Sequence, residues 1–380
     1  MYSLTKFKRD EKKYIGINME SLKKQKDILE DFVTNEPLIN KRNFTKTDFP
    51  QEIKFNNAIE GIDDKITDIE KILNRTFISV NRDKKRITNL YKGYKYILKN
   101  NDINKESLRE LYKILSDDLL IDNDKNRMGD YYREGPVYIL RGNSLDRFFN
   151  GVDHKHIDEY MNILFDYINN DSNNLSDIDC FIKSQIIHCY LVYIHPYFDV
   201  NGRTSRTLAM WYLLNNDNQT YMTFNRSISF LKSRYDKSLV KLRETGDMTP
   251  FLKYMLEAEK LELEKEYIIN NIEKNINKKL TNEEYLILEY FLSMNGHLTL
   301  LDLISMYNNF NTKKKKHSVL EEDINPLIEQ GIIKVTTNTK HNIADGIINK
   351  RIILNEDMIN IDRNKIKELK YERYVKKDQD

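Results

Sequence analysis

His195-Pro-Tyr-Phe-Asp-Val-Asn-Gly-Arg-Thr-Ser-Arg206 joins two apolar segments, 180–194 and 204–214, that both read as buried helices. Pro196 has no N–H to give and its ring clashes with a continuing turn. It therefore stops the first helix and biases His195 out of the right-handed region, which puts the imidazole at a helix exit. Asn201-Gly202 starts the second helix, whose free N–H groups and dipole make a cradle for phosphate. Arg203 and Arg206 lie three residues apart, share a helical face and can grip successive phosphates. Asp199 precedes the cradle, where a carboxylate can hold a phosphate-bound Mg²⁺. His195 faces it across the loop as a candidate general base. Base, carboxylate, amide, glycine and two arginines between core helices read as a phosphoryl or nucleotidyl transfer site.

The stretch resembles the Fic motif, His-x-Phe-x-(Asp/Glu)-Gly-Asn-Gly-Arg-x-x-Arg, with two departures, Tyr197 for Phe and Val200 for the first Gly. Ten or so ordered positions are far more specific than a lone glycine loop. The resemblance implies transfer of AMP from Mg-ATP to a protein hydroxyl. His195 would take the hydroxyl proton, Asp199 would hold Mg²⁺, Asn201, Gly202 and Arg203 would form the anion hole, and Arg206 would hold the γ-phosphate. Tyr197 keeps the aromatic anchor. Val200 leaves two cases open. If the family's glycine only offers its N–H, valine serves equally; if it needs positive φ, a β-branched residue is strained there.

A second stretch, Asn56-Asn-Ala-Ile-Glu60-Gly61, closes a helical pattern over 51–62 carried by Phe55, Ala58, Ile59 and Ile62, with a C-cap-like glycine. It resembles the inhibitory motif of Fic proteins, (Ser/Thr)-x-x-x-Glu-(Gly/Asn), with the amide of Asn56 in place of the hydroxyl. The resemblance implies that Glu60 pairs with Arg206 and takes the place of the γ-phosphate. The same carboxylate would instead orient a water to remove AMP from a modified protein, as in some relatives. Without the resemblance, Glu60 is an ordinary acidic residue at a helix end.

Composition bounds the rest. The 380 residues have room for two or three domains and a sizeable core. With 40% hydrophobic and 32% charged residues and a net charge of +2, the chain reads as a soluble globular protein. That charge is too balanced to argue for nucleic acid or an anionic membrane. Cys180 and Cys189 are the only cysteines, which suits a reducing cytoplasm, and no apolar core follows the first charges to make a signal peptide. The longest apolar runs, such as 208–214, fall far short of a membrane span. The Asn/Ile/Lys bias points to an AT-rich bacterial source.

Along the chain, helical patterns fall at 19–32, 64–73, 86–98, 105–120, 156–168, 228–242 and 249–274. The segment before the motif is apolar nearly all round and belongs at the bundle centre, where His188 reads as a packed core histidine. Val137, Tyr138, Ile139 and Leu140, bounded by Gly/Pro and Gly/Asn, read as one arm of a short hairpin. In Fic proteins a flap at this place pairs with the target's backbone, so the resemblance implies target docking there. The charges of Glu257, Glu259, Lys260, Glu262, Glu264 and Lys265 read as a solvated face leading to another domain.

Residues 281–355 read as a separate unit: helical patterns at 283–293, 299–308 and 318–330, then strands at 332–336 and 347–354. That order resembles a winged helix-turn-helix, but eight Lys and Arg against nine Asp and Glu over 280–355 argue against strong duplex binding. The Lys313–Lys316 run reads as a solvated turn. The expected class is mainly α: a Fic-type helical bundle with a β-hairpin flap and a small C-terminal winged-helix-like domain. The expected divisions are 1–95 with the inhibitory motif at 56–61, a core at 96–276, the winged-helix-like domain at 277–358 and a charged tail at 359–380. The favoured activity is an autoinhibited protein adenylyltransferase. The alternatives are a de-AMPylase, a transferase using another nucleotide, and a nucleotide-sensing regulator that binds DNA or protein. Self-modification and a homodimer are both compatible with this sequence.

Overall fold

The computed structural model describes residues 7–10, 13–35, 44–62, 64–74, 82–140, 147–170, 175–218, 222–293, 297–299, 302–303, 317–337, 350–355 and 357. In order, its elements are α1 (Met19–Asn35), α2 (Phe49–Ile59), α3 (Ile66–Leu73), α4 (Arg82–Ile97), α5 (Lys105–Ser116) and α6 (Asp122–Lys125). They continue with β1 (Tyr138–Leu140), β2 (Arg147–Asn150), α7 (Ile157–Asn169), α8 (Asp177–Ile194), α9 (Asn201–Asn215), α10 (Phe224–Phe230), α11 (Lys232–Thr245) and α12 (Thr249–Ile276). The last are α13 (Asn282–Ser293), β3 (His297–Thr299), α14 (His317–Glu329), β4 (Ile333–Thr337) and β5 (Lys350–Leu354). The chain is mainly helical, and none of the described helices is long and apolar enough to cross a membrane. It divides into two units, 1–31 with 41–257, and 32–40 with 258–380.

The first unit is built on α8 and α9. Ser176 caps α8, its hydroxyl accepting the Asp179 N–H at 3.2 Å. From Ile178 to Ile194 the helix is buried on nearly every side, as its all-round apolar sequence requires. α9 is buried from Arg203 to Leu213. Asn104 and Ser107 close a capping box at the start of α5. The pattern read as one helix over 228–242 is two, α10 and α11, broken at Leu231. The chain's start holds more core than its polar composition suggests: Phe7 is 1% exposed, with ring centroids 4.8 Å from Tyr167 and 4.6 Å from Tyr190. Val137–Leu140 does belong to a hairpin. β1 pairs antiparallel with β2, with a register shift between Ile139 and Leu140, and the Gly151 N–H extends the pairing to the Val137 carbonyl.

In the second unit, α13 and α14 accompany a three-stranded antiparallel sheet in the order β3-β5-β4. The hairpin expected from the sequence is the β4–β5 pair; β3 adds a strand that the sequence reading did not include. Most of the helix expected at 299–308, the Lys313–Lys316 run and the tail at 359–380 lie outside the described residues. The solvated face expected along α12 is corrected. Glu259, Glu262, Glu264 and Lys265 are all buried. Lys265 pairs with Glu262 at 2.7 Å and Glu289 at 3.4 Å, and Lys260 pairs with Glu264 at 2.6 Å. Mutual pairing is what lets these charges leave water, since an isolated one would be strongly disfavoured.

Candidate active site

The site is the loop between α8 and α9, and both of its ends carry left-handed backbone. His195 closes α8 at φ 54°, ψ 59°, its N–H donating to the Leu191 carbonyl at 3.0 Å. Pro196 does remove His195 from the right-handed region, but into αL and not into the extended backbone usual before proline. Val200 precedes α9 at φ 66°, ψ 10°. The question its sequence left open is answered: the position needs positive φ, and a β-branched residue there costs roughly 1–3 kcal/mol. The surroundings hold it in place. Asp199 Oδ1 accepts the Val200 N–H at 2.6 Å, and the Val200 carbonyl accepts from the N–H and hydroxyl of Thr204 at 2.9 and 2.8 Å.

Asn201 staples the loop. Its Oδ1 accepts the Tyr197 N–H at 3.0 Å and its Nδ2 donates to the Tyr197 carbonyl at 2.8 Å. Both polar atoms of the side chain thus tie the loop to the start of α9, where the backbone N–H of Asn201 lies among the first of the helix. Tyr197 is buried and stacks on Tyr112, centroids 3.6 Å apart. Asp199 keeps 49% exposure and stands 3.9 Å from Arg203 Nη2. Among the described residues no three His, Cys, Asp or Glu side chains gather for a metal. A single carboxylate beside a phosphate cradle nevertheless suits Mg²⁺, which is commonly held by one or two carboxylates plus substrate phosphates and water.

Arg206, 1% exposed, is the centre of the cradle's far end. Its Nη2 donates to Glu60 Oε1 at 2.6 Å and to Asn56 Oδ1 at 2.8 Å, while Nε reaches Asn56 Oδ1 at 3.1 Å. Asn56 Nδ2 in turn donates to the Tyr94 hydroxyl at 3.1 Å. Burial pushes the Glu60 pKa up, but the charges of Arg206 and Arg203 outweigh it and the carboxyl is held below its ordinary value. The carboxylate lies over the start of α9: a Cβ placed on Gly202 would be 2.6 Å from Glu60 Oε1. With glycine at 202 the carboxylate can lie this close; any side chain there would push it aside. Beside it Arg203 is 6% exposed, and its Nε and Nη1 have no hydrogen-bond partner. Buried donors of a cation left this way call for an anion. Behind Arg206, His188 is fully buried and neutral, bonded to Gln185 Oε1 at 3.2 Å and the Tyr235 hydroxyl at 3.0 Å.

His195 is half-buried. Its Nδ1 lies 3.3 Å from the Val192 carbonyl, which can only accept, so Nδ1 carries the proton and Nε2 is the basic atom. Desolvation, then the charge of Arg243, and more weakly that of Arg133, press its pKa down to about 3, so the ring is neutral. Neither arginine was evident from the sequence. Arg133 Nε donates to the His195 carbonyl at 2.9 Å, and its two Nη atoms donate to the carbonyls of Gly135 and Val152. Arg243 donates to the carbonyls of Val192 at 2.8 Å and Asn150 at 3.2 Å. Their one signal was Pro196, which promises orphaned carbonyls at the helix end without saying who fills them. The hairpin residues stand alongside: Val137 is partly exposed and Tyr138 41% exposed.

A family model described as Fic/DOC matches residues 102–213. A Fic family protein from Desulfovibrio desulfuricans G20 aligns over 88% of this chain and 96% of its own, at 18% identity and a TM-score of 0.54. Fic-1 of C. elegans (residues 134–508) aligns over 65% and 71%, at 16% identity and a TM-score of 0.45. A Fic-domain-containing signalling protein from Bacteroides thetaiotaomicron aligns over 65% and 95%, at 16% and 0.40. No curated protein matches the sequence. With the motif loop inside the matched span and the helical fold around it, this chain carries a Fic/DOC family domain over residues 102–213.

Proposed function

We propose that the protein is an autoinhibited adenylyltransferase that moves AMP from Mg-ATP to the hydroxyl of a protein side chain. The observation that carries this reading is a cradle built for anions with a carboxylate already in it. Glu60 sits on Gly202 and Arg206, beside the unpartnered donors of Arg203. A terminal phosphate has the charge and size to replace it.

In the reaction, His195 Nε2 accepts the proton of the target hydroxyl as its oxygen bonds to the α-phosphorus. The bond from that phosphorus to the bridging oxygen breaks, and pyrophosphate leaves. Arg203 and the first N–H groups of α9 stabilise the charge that develops on the phosphate oxygens. Arg206 fixes the far end of the triphosphate. Asp199 would hold Mg²⁺, which supplies neutralisation of phosphate charge when bound. β1, whose Tyr138 is exposed, would receive the target as an added strand.

The same carboxylate supports a second reading, removal of AMP by a water that Glu60 orients. Intact mass after incubation with Mg-ATP separates the two. The first reading expects an AMP adduct on Glu60→Gly, less on wild type and none on Glu60→Gly/His195→Ala. An adduct that persists without His195 would overturn the assignment of the base.

A further inference from the structure

An α-helix ends with four carbonyls that have lost their helical donors. In α8 the loss is sharpened, because the donor that Val192 would use is the N–H of residue 196, and residue 196 is proline. Four of the acceptors around the imidazole nevertheless have partners. The Leu191 carbonyl takes the His195 N–H, that of Ile194 takes the Val152 N–H at 3.1 Å, and that of His195 takes Arg133 Nε. The Val192 carbonyl takes two donors, Arg243 Nη2 at 2.8 Å and His195 Nδ1 at 3.3 Å. The other arm of Arg243 holds the carbonyl of Asn150, the last residue of β2, which pairs with Tyr138 of β1. Its guanidinium also lies over the Tyr193 ring, 5.2 Å from the centroid. One planar cation therefore joins the imidazole's own acceptor to the root of the hairpin.

We propose that Arg243 is a positioning residue that fixes the tautomer of His195 and registers the hairpin against it. The guanidinium holds the Val192 carbonyl still, so that it accepts the Nδ1 proton and leaves Nε2 basic and aimed away from the helix end. Through Asn150 the same group keeps the strand that would carry a target hydroxyl in register with that base. The charged groups facing the ring are Arg243 from α11, Arg133 from the segment before β1, and Glu60 from the end of α2. Removing Arg243 thus leaves one cation and one carboxylate, and the ring becomes easier to protonate. The inference rests on His195 being the base of the proposed reaction.

The test uses the full chain labelled with [¹⁵N]histidine, the His195 signals being those lost in His195→Ala. We expect wild type to show Nδ1 protonated and no titration at neutral pH. Arg243→Met should mix the tautomers and raise the midpoint by about one pH unit or more, the size of effect a close charge exerts. Backbone hydrogen exchange at 147–152 should rise with it. Arg243→Gln keeps a donor for the carbonyl and loses the charge, so it should hold the tautomer and still raise the midpoint. It also serves if Arg243→Met does not fold. In the Glu60→Gly background, AMP transfer should fall about tenfold in Arg243→Met with ATP affinity unchanged, because Arg243 is bonded to the hairpin and α8, away from the cradle. Unchanged tautomer and midpoint in both variants would overturn the proposal. AMP transfer surviving in His195→Ala would overturn the functional reading and leave the spectra as a separate result.

Discussion

The two ends of the six-residue loop between α8 and α9 are built on opposite principles. At the end of α8, backbone acceptors that Pro196 would strand are filled, by Arg133, Arg243, Val152 and the histidine itself. At the start of α9, Val200 is held in left-handed backbone, Arg203 keeps unpartnered buried donors, and Glu60 covers the N-terminus. One end is saturated and the other is left for something to bind. A base must hold one orientation, which full hydrogen bonding secures. An anion site must release and exchange its occupant, which full satisfaction would prevent.

The sharpest way to break the comparison is at the saturated end. His195→Ala in the Glu60→Gly background should lose about 10²–10⁴ in AMP transfer, the usual worth of a general base. ATP affinity should stay as it was, since the ring is fixed to α8 and not to the cradle; a calorimetric titration beside the mass assay checks both. A matching loss of affinity would mean that the two ends are not separate devices.

The open end predicts a gain. Replacing Glu60 by Gly removes the carboxylate from Arg206 and the Gly202 surface, and should tighten ATP by about 5–150-fold, the range of ordinary coupling energies. Arg206→Ala should abolish that gain while leaving ADP affinity little changed. Equal ATP affinity in wild type and Glu60→Gly would show that the carboxylate covers the cradle without competing for it.

These two ends also mark what the sequence made legible. The proposed base and cradle, and the pairing of Arg206 with Glu60 that the structure contains, came from spacing and resemblance. The sign of φ at Val200 stayed open, since valine carries no signal for positive φ and the answer depended on how Asp199 and Thr204 held the turn. Arg133 and Arg243 belong to no motif; they were invisible because long-range acceptors, not neighbours in sequence, give them their role. The buried charges of α12 were misread for a related reason. A run of Glu and Lys looks solvated until a second element supplies the pairing, as Glu289 of α13 does for Lys265.

A smaller effect tests whether Val200 is a strained position. Glycine there regains about 1–2 kcal/mol of left-handed backbone cost but gives up the packing of a side chain that is 3% exposed. Alanine gives up most of the packing and keeps most of the cost. Val200→Gly should therefore be more stable than Val200→Ala by about 1 kcal/mol in denaturant unfolding, even if both fall below wild type.

The smallest expected effect concerns pH. His195 and His188 are both held well below their ordinary range by burial, so the unfolded chain binds protons that the folded chain refuses. For a depressed base the stability is fully present above the unfolded value near 6.5 and is lost as pH falls from there towards the folded value. The melting temperature should decline between pH 7 and pH 5, and His195→Ala should decline less steeply because one proton fewer is taken up on unfolding. AMP transfer should show no acid limb from His195 across the same interval, since the folded midpoint lies near 3. A limb that appeared near pH 6 in an Arg133 or Arg243 variant would mean that those charges govern the base more strongly than burial does. The saturated end would then be an electrostatic device first and a geometric one second.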